Sequence, residues 1–496
     1  MSGGGWSRRD TFVLVAIVVL AAVSLAWLVH PWFEASNDAA MYVSCARSLL
    51  AGDGYTFLDE PFRVRPPGFP VLILPVIVLR GVDFHALNLY VGAWGVVCVA
   101  LYFAWARERV STWVALLLAG VAWFNPGFAS LRNQVMSDVP GTALVFGALL
   151  LDRWSAKKPS LARELLLGVV LGLSIYVRSI VTILVGGIVV ARLLRSRADG
   201  TTVTRTVLAR VLPLVLVAVT LQIPWKIRDH FVHPTPPVDQ TSLYDYSSGM
   251  WNVDRGDPSS ARLPLSDVLA RVEPHTESTL TTLGSRMQKD VPDPVSIALG
   301  AFVVLVLVVQ AVRKRRAADF FALGAILLVL PYFNYQDRLL LPVMLVAWSA
   351  CAELLEELGK RVLGERGVLL PIAAASALLV VDFHPRANWD DVRHAHETCA
   401  AWAEKANAVL PRDGRVAVPM EGWRWTIWLD RPVWTLFFGW NRGGGPRGAE
   451  EVLKRHRIDY VVATPFTQSD AVMRPWLLSR FTVLRDESDL ALVRVK

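Results

Sequence analysis

Cysteine is scarce in this chain, with four in 496 residues: Cys45, Cys98, Cys351 and Cys399. Two lie inside apolar runs, so neither a disulfide framework nor a CxxC metal site is present. Cys45 and Cys399 are the pair that could bridge. Charge is also scarce, at 19% Asp, Glu, Lys and Arg, against about 25% in an ordinary soluble domain. The common catalytic signatures are missing: no Walker loop, no GxGxxG after a strand, no HExxH and no GxSxG. Gly443-Gly444-Gly445 runs into Pro446 and reads as a turn. His30, His85, His230 and His233 lack zinc-ligand spacing. No small-x-small cleavage site follows the first apolar run, 11–29, which is long for the core of a signal peptide. It is expected to be a retained helix.

What is present is apolar sequence, 53% of the chain. It is grouped in blocks, most of them near the roughly 20 residues a helix needs to cross a bilayer. The net charge of +8 does not point to nucleic acid. Its basic residues sit in short clusters between apolar blocks, as orientation signals do. The nineteen Trp suit interfacial belts or sugar-stacking surfaces.

Twelve runs occur, near 11–29, 67–79, 85–105, 112–124, 138–151, 164–176, 180–194, 207–224, 294–312, 318–333, 339–356 and 367–383. If all twelve cross, Arg107, Arg109 and the cluster Arg153, Lys157, Lys158, Arg163 fall outside, against the positive-inside rule. The run 67–79 is short and carries Pro67, Pro70 and Pro75. If it lies on the outer surface, every basic cluster moves inside. These clusters also include Arg8/Arg9, Arg192/Arg195/Arg197/Arg205, Arg313–Arg316 and Lys360/Arg361/Arg366. The expectation is eleven spans, a cytoplasmic N-terminus and an outer C-terminal tail. Three outer loops follow: 30–84, 125–138 and 225–293. Loops beyond about 12–15 residues are usually functional or disordered. The expected domains are a helical membrane domain, 1–384, and a C-terminal α/β domain, 385–496. In the latter a helix is expected over 391–410 and another over 450–458, with strands near 415–419, 459–463, 481–484 and 490–495.

Three sets of residues on the outer side could carry chemistry. Asp38 follows the first run and opens a helix over 39–51; it is either its N-cap, a cleft-facing acid, or both. Asp138 precedes Val139-Pro140 where the chain re-enters the membrane. The pattern fits a helix start and equally a second carboxylate sharing a divalent cation, Mg²⁺ or Mn²⁺, with Asp38. Arg63, Arg65, Arg178, Arg228 and Arg338 lie on the outer side against the charge bias. Arginines there either snorkel, pair with Asp229, Asp337 or Asp138, or bind phosphate bidentately. Arg47, Arg80 and Arg132 share that side without an assigned role.

Together these stretches resemble the GT-C membrane glycosyltransferases, in particular the protein O-mannosyltransferase and lipid A aminoarabinose transferase group. The carriers are Asp38-x-x-x-Tyr42, Arg65-Pro66-Pro67 before a surface helix, Asp138-Val139-Pro140, Tyr176-Val177-Arg178, the PWKIRD start of the long loop, and Asp337-Arg338-Leu339 with Leu341-Pro342. The likeness covers roughly residues 10–345. Two positions depart from the pattern: Ala39 stands where a second acid is common, and Val64 where the aminoarabinose transferase has an acid. The resemblance implies a polyprenyl-phosphate sugar donor, reaction on the outer face and inversion at the anomeric carbon. Asp38 would be the base, and Tyr42, Arg63, Arg65, Asp138, Arg178, Arg228 and Arg338 would bind substrate. The loop 225–293 would act as a lid. The competing class is a lipid or sugar transporter without chemistry, which would carry internal repeats and mid-span charges; neither is evident in the sequence.

Overall fold

A computed structural model describes residues 6–34, 36–198, 200, 202–232, 246–254, 260–288, 292–381, 383, 386, 389–442, 444–465 and 468–495. The chain is mostly helical and falls into two compact units. One comprises Met1–Pro31, His85–Arg228 and Pro264–Ala387. The other comprises Trp32–Phe84, Asp229–Leu263 and Asn388–Lys496, so the segment after the first helix and the C-terminal segment share one unit.

The first unit is a helical bundle. Its opening helix, Arg8–Leu28, starts at a capping box: Ser7 Oγ accepts from the Asp10 N–H and Asp10 takes the Ser7 N–H. Five helical stretches are long and apolar enough to cross a membrane: Arg8–Leu28, Phe84–Arg107, Val203–Phe231, Pro294–Lys314 and Asp337–Val381. Thr112–Phe124 bends by 61° into Pro126–Arg132 and makes a sixth if the pair is one span. These helices mark a multi-pass membrane protein. Length and composition alone pick out fewer than the eleven expected, in part because some runs form short helices. Ala317–Val329 has 13 residues, about 20 Å at 1.5 Å per residue against a hydrocarbon core of about 30 Å. Gly68–Arg80, in the other unit, is equally short and contains Pro75.

The expected lid is partly something else. Val272–Ser285, inside 225–293, is a helix pressed against Pro294–Lys314. A Cβ on Gly284 would lie 1.9 Å from the Ser296 carbonyl oxygen, and one on Gly300 2.0 Å from that of Leu280. Only glycine permits that approach. Residues 233–245, 255–259 and 289–291 of the same loop lie outside the described residues.

The second unit carries two sheets. Strands β1 (Thr56–Phe57) and β2 (Glu60–Pro61) form a small antiparallel hairpin. Strands β3 (Val416–Val418), β4 (Val433–Thr435), β5 (Tyr460–Ala463), β6 (Thr482–Glu487) and β7 (Leu490–Arg494) form a mixed sheet in the order β4-β3-β5-β7-β6. β3 runs parallel to β4 and β5, and β7 pairs antiparallel with β5 and β6. Parallel strands are covered on both faces, and every residue of β3 and β4 is buried. Cys399, Trp402 and Ala406 of the helix Trp389–Asn407 pack on Val416, Val462 and Leu492. Cys399 and Cys45 are both buried free thiols, so the bridge that sequence allowed is not formed.

Candidate active site

Two carboxylate–arginine clusters hold most of the expected site residues, one in each unit. In the sheet-bearing unit, Ser36 caps the helix Asn37–Ala51 through its hydroxyl, which accepts from the Ala39 N–H. Asp38 is therefore not the cap. It lies in the first turn, where the helix dipole favours a negative charge, and its side chain is turned to Arg65. Asp38 Oδ1 accepts from Arg65 Nη2 at 2.6 Å, with the two side chains 10% and 17% exposed. The Arg65 guanidinium lies 5.8 Å above the Tyr42 ring, which stands edge-on to Phe69 at 4.8 Å. The Asp-x-x-x-Tyr spacing thus puts acid and aromatic one turn apart, on the face that receives Arg65.

Tyr55 fixes the backbone under that arginine. Its hydroxyl donates to the Arg65 carbonyl at 3.1 Å and to that of Pro66 at 3.4 Å. Burial, and after it the nearby Cys45, pushes the phenol well above its ordinary range, so it keeps the proton it donates. Arg63 is not on Asp38: its buried Nε has no hydrogen-bond partner. The C-terminal segment braces the same helix. Arg424, on Gly422–Trp428, donates from Nε to Asn37 Oδ1 at 2.9 Å. Arg47 pairs with Asp430 at 2.6 Å. His396 Nδ1 accepts from the Phe33 N–H at 3.0 Å, just ahead of the helix. Nothing local in the sequence marks Tyr55, Arg424 or His396, because their partners are distant along the chain.

In the helical unit, Asp138 opens the helix Asp138–Lys157 and is 1% exposed. Two guanidiniums hold it. Arg178 Nη2 donates to Oδ1 at 2.7 Å, and Arg338 Nη1 donates to Oδ2 at 3.3 Å. Arg178 also donates from Nη1 to Ser137 Oγ at 3.1 Å. Each arginine arrives at an element end: Arg178 caps Leu161–Val177, and Arg338 sits in the turn Asp337–Leu340. Gly141 leaves room for the first, since a Cβ there would lie 2.7 Å from Arg178 Cδ and 2.9 Å from its Cβ. Thr282 Oγ1 donates to Asp337 Oδ1 at 2.8 Å, so the helix Val272–Ser285 anchors the turn that carries Arg338. Arg228 stands apart from these pairs, with its guanidinium 4.8 Å over the Trp225 ring. Arg132 is fully buried and closes the 61° bend, donating from Nη1 to the Trp123 carbonyl at 2.6 Å.

The expected divalent cation fits poorly. Among the described residues no three His, Cys, Asp or Glu gather as metal ligands. Both Asp138 oxygens face guanidinium donors, and Asp38 Oδ1 faces a third. A cation beside Asp138 would have to displace one of its two arginines.

The bundle and its arginine-held carboxylates define the class: the chain has a GT-C-type fold. It is similar to ArnT from Cupriavidus metallidurans bound to undecaprenyl phosphate, with a TM-score of 0.62 and 13% identity over 99% of this chain and 98% of that one. The apo state of the same protein matches with a TM-score of 0.58. The Archaeoglobus fulgidus oligosaccharyltransferase AglB, in complex with an inhibitory peptide and a dolichol-phosphate, matches at 0.53, with 12% identity over 96% of this chain and 73% of that one. Another structure of that oligosaccharyltransferase, a complex with Zn and sulfate, matches at 0.51. No protein-family model and no curated protein sequence matches.

Proposed function

We propose that the chain is an inverting glycosyltransferase that moves a sugar from a polyprenyl-phosphate carrier to an acceptor of the cell envelope. Asp38 takes the proton from the acceptor hydroxyl or amine as that group bonds to the anomeric carbon. The bond from that carbon to the phosphate oxygen breaks, and polyprenyl phosphate leaves as a monoester. Its growing negative charge calls for fixed cations, a role assigned to Arg65, Arg178, Arg228 and Arg338, with Arg63 and Tyr42 completing donor binding. A phosphate monoester needs no acid to protonate it, unlike the leaving group of a water-using glycosidase. Asp138 is assigned the positioning of Arg178 and Arg338, in place of the acceptor or metal contact that sequence suggested. The topology that goes with this reading has eleven spans, the N-terminus in the cytoplasm, and Asp38 with the C-terminal α/β domain on the outer face.

The observation that carries the proposal is the Asp38–Arg65 pair. A nearly buried carboxylate is held by a guanidinium in the first turn of its helix. It does so in a chain matched almost end to end by a protein crystallised with undecaprenyl phosphate. The test is mass analysis of envelope glycans in a strain lacking the protein, complemented with wild type or Asp38→Asn. Asp38→Asn is expected to leave the glycans as in the deletion strain, with membrane levels and melting of the protein unchanged. Losing a general base costs about 10²–10⁴ in rate. Full restoration of the glycans by Asp38→Asn would remove Asp38 from the chemistry.

A further inference from the structure

The helical unit contains a charged cavity at the C-terminal end of the helix Asp138–Lys157. Its volume is about 420 Å³. Five helices and the turn after Phe84–Arg107 line it. Among the described residues Arg109, Arg153, Arg195, Lys314 and Arg316 line it with two acids, Glu108 and Asp152, while Glu353 behind the wall holds Arg316. We propose that this cavity binds a phosphoryl anion, either the headgroup of an anionic phospholipid or a free phosphate.

Two observations carry the assignment. The first is charge. Arg153 and Lys157 share the single carboxylate of Glu108, and Arg313 and Lys314 share that of Glu357. In each pairing one cation exceeds its acid, and excess charge of one sign in a low-dielectric cavity attracts the other. The second is an orphan donor. Arg109 is 91% buried, and its side chain is held by Asp319 at 2.9 Å and Glu353 at 3.1 Å. Its Nη1 nonetheless has no hydrogen-bond partner. A buried donor without an acceptor is uncommon and calls for one. A phosphoryl group offers several oxygens at once, and arginine forks are built to meet them. Basic pockets between membrane helices take lipid headgroups by the same chemistry.

The test uses the full chain in detergent and in lipid nanodiscs. The variant is Arg153→Gln/Lys314→Gln, which leaves Lys157 on Glu108 and Arg313 on Glu357, so each acid keeps an ion-pair partner. In detergent at constant ionic strength, inorganic phosphate replacing chloride is expected to raise the wild-type melting temperature by a few degrees, saturably, as a ligand specific to the folded state does. The variant is expected to lose that rise. In the second arm, nanodiscs of phosphatidylcholine are compared with nanodiscs containing phosphatidylglycerol. A variant-sensitive rise with phosphatidylglycerol alone assigns the site to a headgroup. A variant-sensitive rise with inorganic phosphate assigns it to a free anion. No saturable rise in wild type in either arm, or the same rise in wild type and variant, overturns the site. If the double variant does not fold, Lys314→Gln alone is read by the same criteria.

Discussion

The helix Asp138–Lys157 carries two buried charge clusters of different build. At its start one carboxylate, Asp138, is held by two guanidiniums, Arg178 and Arg338. Fourteen residues further on, about 21 Å along the axis, Asp152 belongs to the opposite arrangement. There one guanidinium, Arg192, is held by two carboxylates, at 2.7 Å to Asp152 and 2.7 Å to Glu164. Every nitrogen of Arg192 is engaged: Nε and Nη2 donate to Asp152, and Nη1 donates to Glu164 and to the Arg210 carbonyl. Ser155 and Arg210 complete the shell of Glu164. Such a knot ties together the helices that supply it, with Arg195 and Arg210 at its edge. At the Asp138 cluster a carboxylate is central, and the two guanidiniums around it carry one positive charge more than it neutralises. In a buried setting that excess suits an anion arriving from outside. The same residue types thus serve as a fastening at one end and as a candidate binding group at the other, and the group at the centre, a guanidinium or a carboxylate, separates the two.

The largest expected effect breaks the fastening. Arg192→Leu leaves Asp152 and Glu164 buried, each short of an ion-pair partner. Removing one partner of a buried pair costs about 3–5 kcal/mol. The variant is expected to melt far below wild type and to be depleted from the membrane, while the protein that survives keeps its transfer rate. If Arg192→Leu melts like wild type, the knot is not a fastening.

Next is Arg178→Ala, which acts on the other cluster. Arg338 still covers Asp138, so the fold is expected to lose little. Transfer is expected to fall about 10²–10³-fold, the usual cost of one charge-stabilising donor, read from labelled donor consumed per folded molecule. If Arg178→Ala and Arg192→Leu show the same ratio of stability loss to activity loss, the distinction between the two clusters fails.

Much of this arrangement is legible in sequence, and the illegible part has a common cause. Helix positions follow the apolar runs closely, and Asp38, Tyr42, Arg65, Asp138, Arg178 and Arg338 were marked by their patterns. Pairing of an outer arginine with Asp138 was one of the alternatives left open. The basic clusters were read only as orientation signals. Arg107, Arg109 and Arg192 also bind Asp10, Asp319, Glu353, Asp152 and Glu164. Those acids sit at the margins of apolar runs, where a single carboxylate looks solvated until its partner's helix is placed beside it. Helix length escapes the same local reading. A run of apolar residues records composition, while the helix it forms stops early at a bend, as at Asn125, or at a polar turn. The C-terminal residues that brace the Asp38 helix left no local signal, because Arg424 and Asn37 are 387 positions apart.

The smallest effect gives the finest test, and it lies one turn from Asp138. Gly141→Ala introduces a Cβ 2.7 Å from Arg178 Cδ and 2.9 Å from its Cβ. The second contact involves the root of the side chain, so Arg178 cannot yield by bending its tip. The guanidinium must shift relative to Asp138 Oδ1 and Ser137 Oγ. The helix itself gains from the change, since alanine is up to about 1 kcal/mol better than glycine within a helix. A merely structural glycine would show only the packing cost, with activity following stability. The expectation here is separation: a melting temperature near wild type and transfer reduced about tenfold, equivalent to about 1.4 kcal/mol. The loss should fall mainly in KM for the lipid-linked donor if Arg178 meets its phosphate. A tenfold loss confined to kcat would instead place Arg178 in the transition state alone. No loss at all would mean that the two-arginine geometry around Asp138 does not set the rate.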